Sequence, residues 1–184
     1  MELRSSTLTE ENLGDAPEWD AQPWSCKHCL YWECPEPLVD LAKEDQAANL
    51  GKKLAWVRRV RTEFGDCGRL LYAEGLAVGY AQYAPPRFLP NIRNYPAGPV
   101  SDDAVFLACL FVPSRTHQGR GWGSVLLQDI LRELRGRGMS AVETCTRVGS
   151  AENPSGPAEF YLRHGFAVLR NDPEFPLLHL NLAR

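Results

Sequence analysis

The 184-residue chain has no run of about eighteen apolar residues, the length a helix needs to cross a bilayer, so no membrane span is predicted. Its opening stretch, MELRSSTLTEENL, holds neither a basic cluster nor an apolar segment, so nothing there predicts export and a cytoplasmic protein is expected. Positive charge is also short. The formal net charge is -3, which argues against a nucleic-acid partner, since such proteins usually carry a basic patch. Acids gather early, with Glu2, Glu10, Glu11, Asp15, Glu18 and Asp20 set against Arg4 alone. A solvated acidic face explains them, and a cationic substrate would tolerate the same field.

A second C-x-x-C is missing too. The six cysteines are Cys26, Cys29, Cys34, Cys67, Cys109 and Cys145. With no export signal, reduced thiols or a metal site are expected rather than a disulfide framework. Cys26, Cys29 and Cys34 in CKHCLYWEC are the candidate zinc ligands, with His28 nearby. Zinc wants four ligands, so Cys67 or His117 would have to come from afar. A redox pair or simply packed thiols are the alternatives. The aromatics Trp19, Trp24, Tyr31 and Trp32 could wall a pocket for an amine, with Glu33 and Glu36 as counter-charges, or could form a satellite apolar cluster.

What is present reads as one α/β domain over residues 1–184 with a mixed sheet, including a Cys- and Trp-rich segment at 15–36. A short strand at 2–6 precedes a TLTEE turn capped by Thr7 or Thr9. Apolar spacing from Pro37 to Phe64 predicts helix, broken near Asn49-Leu50-Gly51. RLLYA and AVGYAQYA form a hairpin through Glu74-Gly75. Five prolines mark 85–103 as a long ordered loop. AVFLACLFV (104–112), ended by Pro113, suits a strand buried on both faces. Leu127, Ile130, Leu131 and Leu134 stripe the following helix, which Gly136 and Gly138 stop. AVETCT (141–146) is a strand, Pro157 opens a short helix ended at Gly165, and FAVLR and LLHLNLA close the chain as strands.

Between that buried strand and the striped helix lies GRGWGS, glycines at every second position. Such a loop removes side chains where the first-turn N–H groups and the helix dipole make an anion site. The Gly-Lys-Ser/Thr ending of a nucleotide P-loop is absent. A dinucleotide fold wants G-x-G-x-x-G; Glu143 would suit its ribose acid, but no earlier parallel unit precedes this one.

The run Gln118-Gly119-Arg120-Gly121-Trp122-Gly123 resembles the Q/R-x-x-G-x-G/A acetyl-CoA signature of the GNAT family of N-acetyltransferases. Leu110-Phe111-Val112-Pro113 stands where that family has the strand before the loop, and Asn153 with Phe160-Tyr161-Leu162-Arg163-His164-Gly165-Phe166 resembles its closing motif. The resemblance implies a mixed, mostly antiparallel sheet flanked by helices. It also implies an enzyme that moves acetyl from acetyl-CoA to a primary amine of a small molecule or protein. The same fold could instead serve a catalytically silent CoA-binding or metal- or redox-responsive module. By the resemblance, the backbone of Leu110, Phe111 and Val112 meets the pantetheine arm, and Gln118 and Gly119 through Ser124 meet the pyrophosphate, with Asn153 also toward CoA. Arg120 could add a charged contact. Tyr161 matches the proton donor to the leaving thiolate, Glu143 is the candidate base, and a backbone N–H near Leu110 would meet the oxyanion. A covalent route through Cys109 or Cys145 is disfavoured, since small thiols on strands usually belong to the core. A homodimer is an open expectation.

Overall fold

The computed structural model describes residues 2–18, 25–34, 46–113, 119–149 and 155–183. Seven strands form one sheet in the order β1-β2-β3-β4-β5-β7-β6: β1 (Leu3–Thr7), β2 (Gly68–Ala73), β3 (Leu76–Ala84), β4 (Ala104–Phe111), β5 (Ala141–Cys145), β6 (Ala167–Arg170) and β7 (Leu177–Asn181). Only β4 and β5 run parallel; every other neighbouring pair is antiparallel. Helix α1 (Gln46–Glu63) covers one face, where Val57 and Val60 join Leu70, Tyr80 and Phe106. Helices α2 (Trp122–Gly136) and α3 (Ala158–Arg163) cover the other, where Leu127, Ile130 and Tyr161 meet Leu71, Leu107 and Val142.

Local chemistry accounts for most of these elements. Glu74 and Gly75 both take positive φ, 51° and 84°, the backbone a two-residue hairpin turn demands. All eight residues of β4 are buried, as its unbroken apolar run requires. Leu126, Leu127, Ile130, Leu131 and Leu134 form the buried stripe of α2, and Gly138 ends it in the left-handed region at φ 73°.

One expectation needs correction. Helix α1 is not broken at Asn49-Leu50-Gly51 but runs through it. A mid-helix glycine costs only about 1 kcal/mol relative to alanine, too little to end a helix held by packing. The part of that expected helix at 37–45 lies outside the described residues. The turn expected at Thr9 is present: Leu13 N donates to the Thr9 carbonyl at 3.0 Å, Asn12 Oδ1 accepts from Thr9 N at 2.7 Å, and a short 3-10 turn follows at Leu13–Asp15. Residues 85–103 form an ordered loop, with 3-10 turns at Pro86–Phe88 and Pro90–Asn94.

Candidate functional site

The site begins with a failure of pairing. β4 and β5 share three registers, Ala104 with Ala141, Val105 with Val142 and Phe106 with Glu143. Beyond these, β4 stays on β3 as far as Phe111 opposite Tyr80, and β5 stays on β7 as far as Cys145 opposite Leu177. The strands therefore part from Leu107 and Thr144 onward. β4 also carries one extra residue, Ala108, between the partners of Tyr83 and Gln82. This bulge turns both Ala108 and Cys109 toward α1. Two hydroxyls bridge the gap: Thr144 Oγ1 donates to the Leu107 carbonyl at 2.9 Å and Ser155 Oγ to that of Ala108 at 3.0 Å.

Tyr161 stands on the α2 side of this gap. It is fully buried and its hydroxyl donates to the Ser155 carbonyl at 2.6 Å. Gly156, at φ 81°, leaves just enough room: a Cβ there would lie 3.8 Å from the Tyr161 hydroxyl and 3.9 Å from the Leu110 carbonyl. The phenol and the Leu110 carbonyl thus flank Gly156, and burial pushes the Tyr161 pKa up, so it holds its proton at neutral pH.

The glycine loop opens onto the same end of the gap. Gly119 and Gly121 take φ 77° and 80°, and a Cβ on either would meet nothing within 4 Å. Gly121 is the N-cap of α2 and has no side chain to bond the first-turn N–H groups, which helices leave without intrahelical acceptors. A backbone with this shape and exposure fits a pyrophosphate. A Cβ on Gly123 would lie 3.6 Å from Leu110 and Phe160, ordinary van der Waals contact, so this position faces the packed side of α2 rather than open space. The Arg120 guanidinium lies 5.7 Å from the Trp122 ring centre. Gln118 and Asn153 lie outside the described residues.

Ser124 has a partner that sequence reasoning missed. His164 Nδ1 faces the Phe160 carbonyl at 2.8 Å, so that nitrogen carries the hydrogen and Nε2, 3.0 Å from Ser124 Oγ, accepts the serine proton. The hydroxyl of Ser124 is therefore engaged by His164, the residue that ends α3.

Glu143 is fully buried on the α1 face, with both oxygens taken. Oε2 accepts from Ser101 N at 2.9 Å and Oε1 from His179 Nδ1 at 3.0 Å. It pins the loop before β4 to the sheet and orients a half-buried histidine.

The Cys-rich segment packs on the α1 face. Cys29 N closes a turn on Cys26 O at 3.3 Å. Among the described residues no group of three or more His, Cys, Asp or Glu could hold a metal ion, so the expected zinc finds no support. Burial pushes the Cys29 thiol up, as it does Cys109 and Cys145, all three unlike an activated thiolate. Trp32 is core, edge-on to Phe106 with ring centres 4.9 Å apart, whereas Tyr31 is 40% exposed. Trp19, Trp24, Glu36 and His117 lie outside the described residues.

Glu33, expected as a counter-charge to a bound amine, is paired in the interior with Lys53 of α1; their side chains are 5% and 2% exposed. Gln82 Nε2 donates to Glu33 Oε1 at 2.8 Å, and Gln82 Oε1 accepts from Lys53 Nζ at 2.8 Å and from the Tyr80 hydroxyl at 2.7 Å. The spacing Asn49, Lys53, Val57, Val60, all buried on one side of α1, was the signal for Lys53.

Comparison with known proteins bears on what such a site does. The sequence profile of the acetyltransferase (GNAT) family matches residues 24–166. No curated protein matches the chain significantly. Among solved structures, the chain superposes on the PaiA N-acetyltransferase from Thermoplasma acidophilum in complex with coenzyme A with a TM-score of 0.58, at 13% identity over 98% of this chain and 99% of that one. An N-acetyltransferase from Staphylococcus aureus Mu50 gives 0.61 at 12% identity over the whole of both chains. YncA, a putative acetyltransferase from Salmonella typhimurium with acetyl-CoA, gives 0.60 at 17% identity over 99% of this chain and 95% of that one.

Proposed function

The chain belongs to the acetyltransferase (GNAT) family, and from that membership we propose that it carries acetyl from acetyl-CoA to a primary amine of a small molecule or protein, with both substrates bound together. Bound along β4, acetyl-CoA would supply an activated acetyl thioester. We assign the pantetheine arm to the backbone of Leu110, Phe111 and Val112. The pyrophosphate goes to the N–H groups of Gly119, Arg120, Gly121, Trp122, Gly123 and Ser124, with Gln118 and Asn153 retained from the motif. One observation carries the reading: the first turn of α2 at Gly123 and the Gly156 backbone against the buried Tyr161 both border Leu110, on the stretch of β4 that has left β5.

The transfer requires that the amine lone pair attack the thioester carbon, that the carbon–sulfur bond break, and that one proton leave nitrogen while another reaches sulfur. Tyr161 is assigned the second proton: burial keeps it protonated, it flanks Gly156 together with the Leu110 carbonyl, and its hydroxyl would turn from the Ser155 carbonyl to the leaving sulfur. A β4 N–H near Leu110 is assigned the charge growing on the carbonyl oxygen. Glu143 is assigned the first proton, but indirectly. With both oxygens engaged, it works through His179, whose Nε2 would receive the proton across a short water chain.

The test is calorimetric titration with acetyl-CoA and with NAD, followed by thiol release across an amine panel for wild type and Tyr161→Phe. Micromolar acetyl-CoA binding and a kcat at least roughly a hundredfold lower in the variant are expected. Binding without turnover would leave the silent CoA-binding module, and tight NAD binding would end the reading.

A further inference from the structure

The buried ion pair under β4 is a poor device for stability. Taking two charges out of water costs about as much as their attraction returns, and apolar side chains of similar volume commonly do as well. Its geometry is lopsided besides. The Lys53 ammonium and the Gln82 amide both converge on Oε1 of Glu33, while Tyr80 and Lys53 hold Gln82 in place. Oε2, equally buried, has no hydrogen-bond partner among the described residues. A carboxylate oxygen in that setting is an acceptor with nothing to accept, and such atoms mark sites rather than scaffolding.

Its position gives it a use. Gln82 is the register partner of Cys109, the residue after the Ala108 bulge, and both side chains face α1. Glu33 therefore lies against the α1 face of residues 108–110, whose other edge borders the β4–β5 gap and Tyr161. The segment bearing Glu33 is fixed there by Trp32 on Phe106 and by Asn91, which donates from N to the Trp32 carbonyl and from Nδ2 to that of Tyr31. The Tyr31 ring, 40% exposed, stands edge-on to Trp32 with ring centres 4.7 Å apart; burial raises its pKa, with the thiols of Cys145 on β5 and of Cys29 adding to the rise. Burial alone would lower Lys53, yet the adjoining Glu33 outweighs it and Lys53 is raised, so it stays an ammonium fixed on Oε1.

Resting on the acetyltransferase reading, we infer that Glu33 Oε2 receives the amine of the acceptor as its ammonium, which gives one proton to water to free its lone pair before attack, the second going to His179 as the amide forms; the acceptor is a cationic primary amine entering on the α1 face beside Tyr31. Lys53, Gln82 and Tyr80 are positioning residues: they occupy Oε1, hold the carboxylate still and leave one oxygen for substrate. The acidic composition of the chain, net -3, suits such an acceptor.

The experiment measures acetyl-CoA affinity by calorimetry and steady-state acetylation of three probe amines, spermidine, tyramine and an N-blocked lysine peptide, with neutral hydroxylamine as a fourth nucleophile. In Glu33→Gln, acetyl-CoA affinity is expected within about twofold of wild type, while KM for the amine used rises roughly tenfold to a hundredfold with a smaller change in kcat. KM for hydroxylamine should not move, which separates a substrate contact from a structural one. An amine KM within about twofold of wild type overturns the inference. So does a wild type that binds acetyl-CoA but acetylates none of the three cationic amines. A wild type that fails to bind acetyl-CoA overturns the acetyltransferase reading instead. Should Glu33→Gln lose its fold, seen as lost acetyl-CoA binding, Glu33→Gln with Lys53→Met removes both charges together and is read in the same way.

Discussion

His164 and Ser124 are bonded across the molecule, Nε2 to Oγ at 3.0 Å, and so tie the end of α3 to the first turn of α2. The contact joins the tyrosine-bearing helix to the glycine loop. Because the serine gives its proton to the histidine, Ser124→Ala should cost about 1 kcal/mol of folding free energy. It should leave acetyl-CoA affinity within about threefold. Denaturant melts and calorimetry check both, and a far larger loss of affinity would mean that the hydroxyl holds the ligand.

Gly121 gives the opposite split. A Cβ there meets open space, yet φ 80° strains any other residue, by about 1–2 kcal/mol for an L side chain. Gly121→Ala should therefore weaken acetyl-CoA binding by roughly tenfold or more, because the new methyl occupies the face where a phosphate would rest. Titration of the variant reads this directly. Unchanged affinity would move the pyrophosphate elsewhere.

Glu143 and His179 form a unit if the base works in relay. Glu143→Gln and His179→Ala should each lower kcat by roughly a hundredfold, and the double variant should be no slower than either single one. Acetyl-CoA affinity stays as in wild type. Losses that multiply in the double variant would show two independent roles.

Stability should fall at alkaline pH. Burial pushes Cys67 up to about 12, and burial with the Asp15 hydrogen bond pushes Tyr72 up to about 12. Both groups gain charge on losing a proton, and in the unfolded chain they do so near about 8.5 and 10. The unfolded state then binds fewer protons than the native one, so stability is full below about pH 8.5 and falls as pH rises toward 12. Urea midpoints at a series of alkaline pH values measure the slope, and Cys67→Ala should flatten its lower part.

Some of this could be read from residues alone, and the boundary is physical. β4 announced itself by an unbroken apolar run closed by Pro113, and α2 by leucines at helical spacing, because burial writes those patterns locally. Gly119 and Gly121 were legible because only glycine suits a left-handed backbone beside a ligand. Glu33 with Lys53 was not, since the partners sit twenty positions apart and only packing of α1 on the sheet joins them. Nor was Glu143 with His179, which depends on the register of β5 against β7, a matter no single strand encodes. The over-read was Gly51, where a small local preference was weighed without the buried face that overrides it.

The three registers shared by β4 and β5 make the seven-stranded sheet two sheets on a short hinge, four strands on one side and three on the other. A molecule lying in the opening with its own amides against β4 would act as a surrogate strand. Substrate binding and completion of the fold then become one event, and amide exchange along the inner edges of both halves should slow together when the opening is filled.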